Sequence, residues 1–496
     1  MTLLGADAYR LSLRELHPDV WVRGRRVESV ADEPLLAPGV NAIARTYEMA
    51  LRPELAETLL AELPDGRRVN RMNALDASGD DLLRKLEACR LLCRATGCAQ
   101  RYLMHDAVGA LAEITHLADA EHGTEYAARL AAFVERGAAG DLTCAVAMTD
   151  PKGDRSRRPH QQADPDQYLR VVERTNRGVV LRGAKLNVTG APYAHEVVVL
   201  PTRAMTEADA GHAVAAVVPI DARGLRVISR PAGRTDPRTS PFSASYGQAT
   251  AMLLFDDVQV PWERVLLCGE HALAGRLAEA FANHHRHSCI GCRAALGDIV
   301  IGAAVEMAEA NGLSAHRGHL RGCLAQLIGI VEGFYACGIA ASVRGHPTAA
   351  GNWIPDGVYA NVGKLMLAEQ VPVMFRLAQE MAGGVVATVP TPEDVAAPEN
   401  AELVRRYLAG ATGGGAEHRI NIARLLADLS ASDEGGWYAL ISLHGGGSPE
   451  ALRSSAVRQY DLDSRRELAR RLACFAHADG GCAGCGSCSE PEHAPA

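Results

Sequence analysis

The chain has 496 residues, 48% of them hydrophobic and 22% charged, with a formal net charge of −8, enough material for two or three domains built on sizeable cores. The acidic balance and the lack of a clustered basic stripe argue against nucleic acid or an anionic membrane surface as the main partner and favour a small-molecule substrate. Thirteen cysteines, an odd number, do not suit a disulfide framework and are read as core thiols or metal ligands in a reducing compartment.

In chain order, the N-terminus shows no charged-then-apolar signal pattern, and no apolar run approaches the roughly 20 residues that span a bilayer, so a cytoplasmic protein is expected. From about 41 to 138 apolar residues recur at three and four spacing with Pro and Gly at the breaks, which predicts an α-helical N-terminal domain over 1–140. Between 141 and 270 short β-rich runs such as LTCAVAMTD, GVVLRGAKLNVTG and AMLLFDDVQVP alternate with turn signals, predicting a middle β domain, a small barrel or sandwich. Long helical patterns return over 271–473 as a C-terminal helical domain. Cys144, Cys268, Cys323 and Cys337 read as small core hydrophobes.

One helical stretch, 283-NHHRHSCIGCR-293, packs three histidines and two cysteines into eleven residues. His285, Cys289 and Cys292 are spaced by four and three, about two α-turns, so they share one face. The chain ends in a Gly/Cys-rich segment, 474–496, read as a flexible tail. Its Cys482, Cys485 and Cys488 have the C-x2-C-x2-C spacing of metal ligands, with Cys474 or His477 as a fourth. The surrounding Gly and Ala supply no supporting shell, so adventitious metal binding or a redox-sensitive end competes with a true cluster.

The helix, β, helix order resembles the acyl-CoA dehydrogenase architecture, an α+β fold in which a flavin lies between the β domain and a C-terminal bundle. The segments 147-AMTDPKGDR-155, 182-RGAKLNVTGAPYAHE-196, 201-PTRAMTEAD-209, 347-PTAAGN-352 and 444-HGGGSP-449 sharpen this. Together they resemble the 4-hydroxyphenylacetate 3-hydroxylase family of flavoproteins, in its 4-hydroxybutyryl-CoA dehydratase/vinylacetyl-CoA isomerase branch. That resemblance implies bound FAD. Met148 and Thr149 would meet the flavin edge, Lys152 and Arg155 would neutralise phosphate, Thr189 would lie near the ring, and the His444, Gly445 and Gly447 loop would let backbone approach a ligand. The resemblance also implies a homotetramer and a [4Fe-4S] cluster on three cysteines and a histidine, with Cys98, His285 and Cys292 matching three of the ligands.

The fourth ligand position holds Tyr102. Cys289, on the helical face of His285 and Cys292, is the best replacement, with Cys89 and Cys93 on the preceding helical stretch as further candidates; otherwise the cluster has been lost. Active-site glutamates of the branch align with Thr250 and Ile441, and a lysine after the last cysteine with Arg293. Isoleucine transfers no proton, so dehydration itself is put in doubt. The hydroxylase branch finds little support in 101-RYLMHDAVGA-110, where Asp106 is kept but Ala107 stands in place of an aromatic residue. Three readings follow. The first is an FAD enzyme acting beside the carbonyl of a CoA or carrier-protein thioester, with His285 as base. The second is a monooxygenase fed by a separate flavin reductase, and the third a catalytically silent family member.

Overall fold

The computed structural model describes residues 3–475 apart from 235, 315–316 and 412–413, so the tail with Cys482, Cys485 and Cys488 lies outside the described residues. Two helices, Ala6–Arg14 and Ala37–Ala50, open the chain and flank the strands β1 (Asp19–Val22) and β2 (Arg25–Arg26). A hairpin of Leu60–Glu62 with Arg68–Asn70 follows, then helices α1 (Gly79–Thr96), α2 (Tyr102–His122) and α3 (Tyr126–Gly140). Ser78 caps α1 by accepting a hydrogen bond from the Asp81 amide, and Gly97, at φ 70°, ends it. At that position a side chain would collide with Tyr438 and Phe242, so only glycine combines the left-handed turn with the close approach.

The β region contains β3 (Cys144–Ala147), β4 (Arg170–Arg174), β5 (Gly178–Thr189), β6 (Glu196–Val199), β7 (Val214–Pro219), β8 (Leu225–Ser229), β9 (Thr250–Pro261) and β10 (Val265–Cys268). They form a six-stranded sheet, β2-β1-β8-β9-β5-β4, and a four-stranded one, β10-β7-β6-β3. The segment 1–140, expected as an α-helical domain, also carries strands. β1 pairs in parallel with β8 from Asp19↔Arg226 to Val22↔Ser229, and Tyr9, Val20 and Tyr47 share one core with Val197, Val199 and Leu253. DVWV is too short a run to outweigh its helical flanks when read locally, and its hydrogen-bonding partner lies far along the chain.

The C-terminal helices are α4 (His271–Ala310), α5 (Gly318–Val343), α6 (Gly357–Ala382), α7 (Gly415–Ser430), α8 (Asp433–His444) and α9 (Pro449–Gln459), with a final helix Leu462–Phe475. Their core merges with that of α1 and α2: Leu86, Cys89 and Leu111 pack in one cluster with Ile290, Leu296, Val331 and Leu367, each buried Leu contributing roughly 1.5–3 kcal/mol. By length and composition α4 and α5 could each cross a bilayer, but 72% of the most apolar window of α4 is buried inside the protein. α4 has 40 residues, is about 60 Å long and forms the axis of the helical half. The site is built on it.

Candidate functional site

On α4, His285 and Cys289 stand one turn apart with Nε2 3.5 Å from Sγ. The other ring nitrogen, Nδ1, donates to Asp106 Oδ2 of α2 at 3.2 Å, and Phe281 stacks on the ring at 5.5 Å. Asp106 also accepts from Ser288 Oγ at 2.6 Å and faces Lys85 Nζ at 3.6 Å. Burial opposes the imidazolium, but the Cys289 thiolate and the Asp106 carboxylate outweigh it and raise His285 to about 10. Burial likewise opposes the thiolate of Cys289, and the charge and hydrogen bond of His285 reverse that, drawing it below the usual thiol range. His285, the expected base, thus stands between a carboxylate on one ring nitrogen and a cysteine on the other.

One turn further along α4, Cys292 Sγ lies 3.2 Å from Cys98 Sγ. The Tyr102 hydroxyl is 3.8 Å from Cys98, and Arg293 Nη1 reaches Cys292 at 3.0 Å and Cys98 at 3.6 Å. Burial pushes both thiols well up, so they stay protonated. A cubane cluster separates its ligand sulfurs on different irons around a shared cavity. Here two of the sulfurs touch, a guanidinium lies on both, a phenol fills the fourth position, and Cys289 turns to His285. Among the described residues no group of three or more His, Cys, Asp or Glu side chains could hold a metal ion. The ligand set Cys98, Cys289, Cys292 and His285 is thus corrected: these residues do not fit a [4Fe-4S] cluster as arranged.

The residues expected at the flavin sit at the tips of the β strands. The MTDP turn is pinned by Lys185, whose Nζ donates to the Met148 and Leu200 carbonyls at 2.9 Å and pairs with Asp150 at 2.8 Å, while the Thr149 carbonyl accepts from the Leu186 amide. Lys152 follows at φ 70°, half-buried, its ammonium disfavoured by burial and by the neighbouring Arg155 and Arg203. Among the described residues none of these three cations has an ion-pair partner within 4.0 Å. A half-buried lysine whose charge is disfavoured by two nearby arginines and only partly offset by Asp150 fits a phosphate-bearing ligand. Thr189 and Thr250, paired across β5 and β9, bring their hydroxyls to 3.2 Å, and Trp437 Nε1 donates to Thr250 at 3.0 Å, so α8 closes on the strand tips.

In the glycine loop, His444 is exposed. Gly446, which sequence reading did not single out, makes the approach: its carbonyl accepts from Arg286 Nε at 2.8 Å, and a Cβ there would lie 3.5 Å from His285. Gly447 lies beside Arg286 and Ala451.

Several buried polar groups escaped the sequence reading. Lys85 contacts Asp76 at 3.8 Å as well as Asp106, and Asp76 contacts His105 at 3.3 Å. Lys364 Nζ donates to the Ser442 carbonyl at 2.6 Å, and burial brings it down to about 8. Glu434 accepts from the Gln248 amide at 3.3 Å while its second oxygen is unsatisfied; burial lifts it to about 8, making it a neutral carboxylic acid near pH 7. It lies one and two turns before Tyr438 and Ile441 on α8. The usable signal was positional: Lys85 lies on the apolar stripe Leu82, Leu86, Cys89, and Lys364 on Ala360, Leu367, Ala368, where a lysine must be buried.

Comparison with known proteins bears on the whole chain. Family models described as 4-hydroxyphenylacetate 3-hydroxylase N terminal and C terminal match residues 5–267 and 274–474. The chain is 36% identical over 490 residues to the 4-hydroxybutyryl-CoA dehydratase/vinylacetyl-CoA-Delta-isomerase of Clostridium aminobutyricum, covering 95% of this chain and 99% of that protein. An oxygen-tolerant archaeal 4-hydroxybutyryl-CoA dehydratase from N. maritimus superposes with a TM-score of 0.92 at 34% identity, over 96% of this chain and 95% of that one. The oxygenase component of a 4-hydroxyphenylacetate 3-monooxygenase, solved with FAD, superposes at 0.86 and 24% identity, over 95% and 99%. The architecture is acyl-CoA dehydrogenase-like.

Proposed function

The chain belongs to the 4-hydroxyphenylacetate 3-hydroxylase family, and from that premise we propose that it is an FAD-dependent enzyme acting beside the carbonyl of an acyl thioester on CoA or a carrier protein. The observation that carries the reading is the end-to-end likeness to a CoA dehydratase/isomerase, 36% over 490 residues, combined with the half-buried Lys152 beside two arginines at the expected flavin turn. When bound, FAD supplies a hydride or electron acceptor beside the substrate carbonyl. Lys152, Arg155 and Arg203 would hold its phosphates. Thr189, Thr250 and Trp437, hydrogen-bonded to one another, would face its ring, and Gly446 comes close to His285.

Desaturation or isomerisation fits the residues better than dehydration. Thr250 and Ile441 offer no carboxyl to protonate a departing hydroxyl, and Cys98 and Cys292 are held as a touching thiol pair under Arg293. The enzyme is taken to be a cytoplasmic homotetramer: Ile328, Ile339 and Val343 on α5 are 46%, 38% and 68% exposed in the single chain, an apolar face that association would cover.

The test is an anaerobic titration of the purified protein with butyryl-CoA, with FAD and iron quantified. One FAD per chain, little iron and bleaching of the flavin band are expected. An unchanged flavin spectrum with acyl-CoA, together with oxygen consumption on a phenol when a flavin reductase is added, would move the chain to the monooxygenase branch.

A further inference from the structure

We propose that Arg286, Lys364 and the loop of Gly446 and Gly447 form a subsite for a carboxylate, so that the substrate is an acyl thioester whose chain ends in a second acidic group. The inference rests on the acyl-thioester reading above and narrows it to one substrate class.

Three cations are buried between α4, α6 and α8: Arg286 is 5%, Arg293 3% and Lys364 0% exposed. Among the described residues none of them has a carboxylate within 4.0 Å. The acids of the neighbourhood are committed elsewhere. Asp106 serves Ser288, Lys85 and His285, and Glu279, which acts on Arg286, is held by Arg458 at 2.5 Å and Gln459 at 2.9 Å. The other buried lysines of the protein are matched: Lys85 faces Asp76 and Asp106, and Lys185 pairs with Asp150 at 2.8 Å. Desolvated positive charge without a counter-charge is costly, so an unmatched group of this kind fits an anion that arrives from outside.

The guanidinium of Arg286 is fixed on two sides. Nε donates to the Gly446 carbonyl at 2.8 Å and Nη1 to Asn361 Oδ1 at 2.7 Å. Nη2 has no hydrogen-bond partner among the described residues and lies by Gly447, where a Cβ would come within 3.2 Å of it. Lys364 reaches the same place from α6: a Cβ on Gly446 would lie 3.2 Å from Arg286, 3.5 Å from His285 and 3.8 Å from Lys364. With no side chains, Gly446 and Gly447 leave both cations open to a ligand. Lys364 donates once, to the Ser442 carbonyl at 2.6 Å, and keeps two N–H groups in hand. The edge of α4 that retains contact with solvent is the one that carries Arg286: His285, Arg286 and Cys289 keep 9%, 5% and 6% of their exposure, whereas His284, His287 and Cys292 are at 0%. Because the cations stand in place before any reaction, they match a permanent carboxylate, whose planar oxygens suit a guanidinium N–H. An end group held here lays the acyl chain beside His285.

The experiment compares butyryl-CoA with glutaryl-CoA, the same chain bearing a carboxylate on its last carbon, by calorimetric titration of the full-length protein with its bound flavin. Glutaryl-CoA should bind at least about tenfold tighter, as a charge-assisted contact to buried cations implies. Lys364→Met, which fits the apolar stripe of α6, should bring the ratio of the two affinities close to one. A lysine needed only for packing would change both affinities and leave their ratio. Equal affinities in the unsubstituted protein would overturn the proposal and leave the acyl-thioester reading standing, and so would a ratio that K364M does not move. Failure of both thioesters to bind would remove that reading, and the subsite with it.

Discussion

Two cysteines on α4, three residues apart, live opposite chemical lives. Cys289 faces the His285 ring at 3.5 Å and is drawn below the usual thiol range by it; Cys292 faces another thiol at 3.2 Å and is pushed toward the protonated form by burial. The helix and the residue type are the same, so the difference comes from what α1, α2 and α8 place opposite each. α2 sends Asp106 to the ring of His285, whereas the α1–α2 turn sends Cys98, and Arg293 bridges from α4 to Ser442 of α8 at 2.7 Å. Reactivity here is a property of the pairing and is absent from any single segment.

The largest break in this comparison should come from Asp106→Ala. It leaves Lys85, 0% exposed, and His285 without their shared carboxylate, and stranding buried charge costs about 3–5 kcal/mol. Urea denaturation measures it, and a loss under about 1 kcal/mol would show that Asp106 does not carry the charge balance. Gly97→Ala acts on the thiol side: the left-handed φ of 70° and the contacts with Tyr438 and Phe242 should cost roughly 2–3 kcal/mol, read as a lowered melting temperature.

The pH dependence of stability tells the two sides apart. His284 is held neutral, its pKa brought by burial from 6.5 to about 3, so the unfolded state binds the extra proton and stability is lost as pH falls below 6.5. His285, raised to about 10, gives stability that is full below its unfolded value and is lost as pH rises through 10. Each contributes on the order of a few kcal/mol. A denaturation midpoint that is flat from pH 4 to 10 would contradict both. The smallest effect is expected from Arg376→Ala, which removes the exposed Glu380 pair at 3.0 Å and should change stability by less than about 0.5 kcal/mol.

Much of the β region was legible because GVVLRGAKLNVT and TAMLLFDDVQV state their alternation over long runs, and β5 and β9 occupy them. β1 was not, since four residues carry little periodic signal and their partner strand is supplied by Leu225–Ser229. In the site, the four and three spacing of His285, Cys289 and Cys292 could be read on one face, and the glycine loop could be placed, although Gly446 and not His444 makes the approach. Lys85 and Lys364 looked like solvated helix residues until their place on apolar stripes was weighed.

The sequence by itself determined the order of helical and β segments, the shared helical face on α4 and the family. Tertiary structure alone decided which sulfur is paired with which partner, which lysines are buried, and which carboxylate meets the histidine. Those properties depend on distance and desolvation between segments far apart in the chain, and Coulomb interactions in a buried setting change steeply with both.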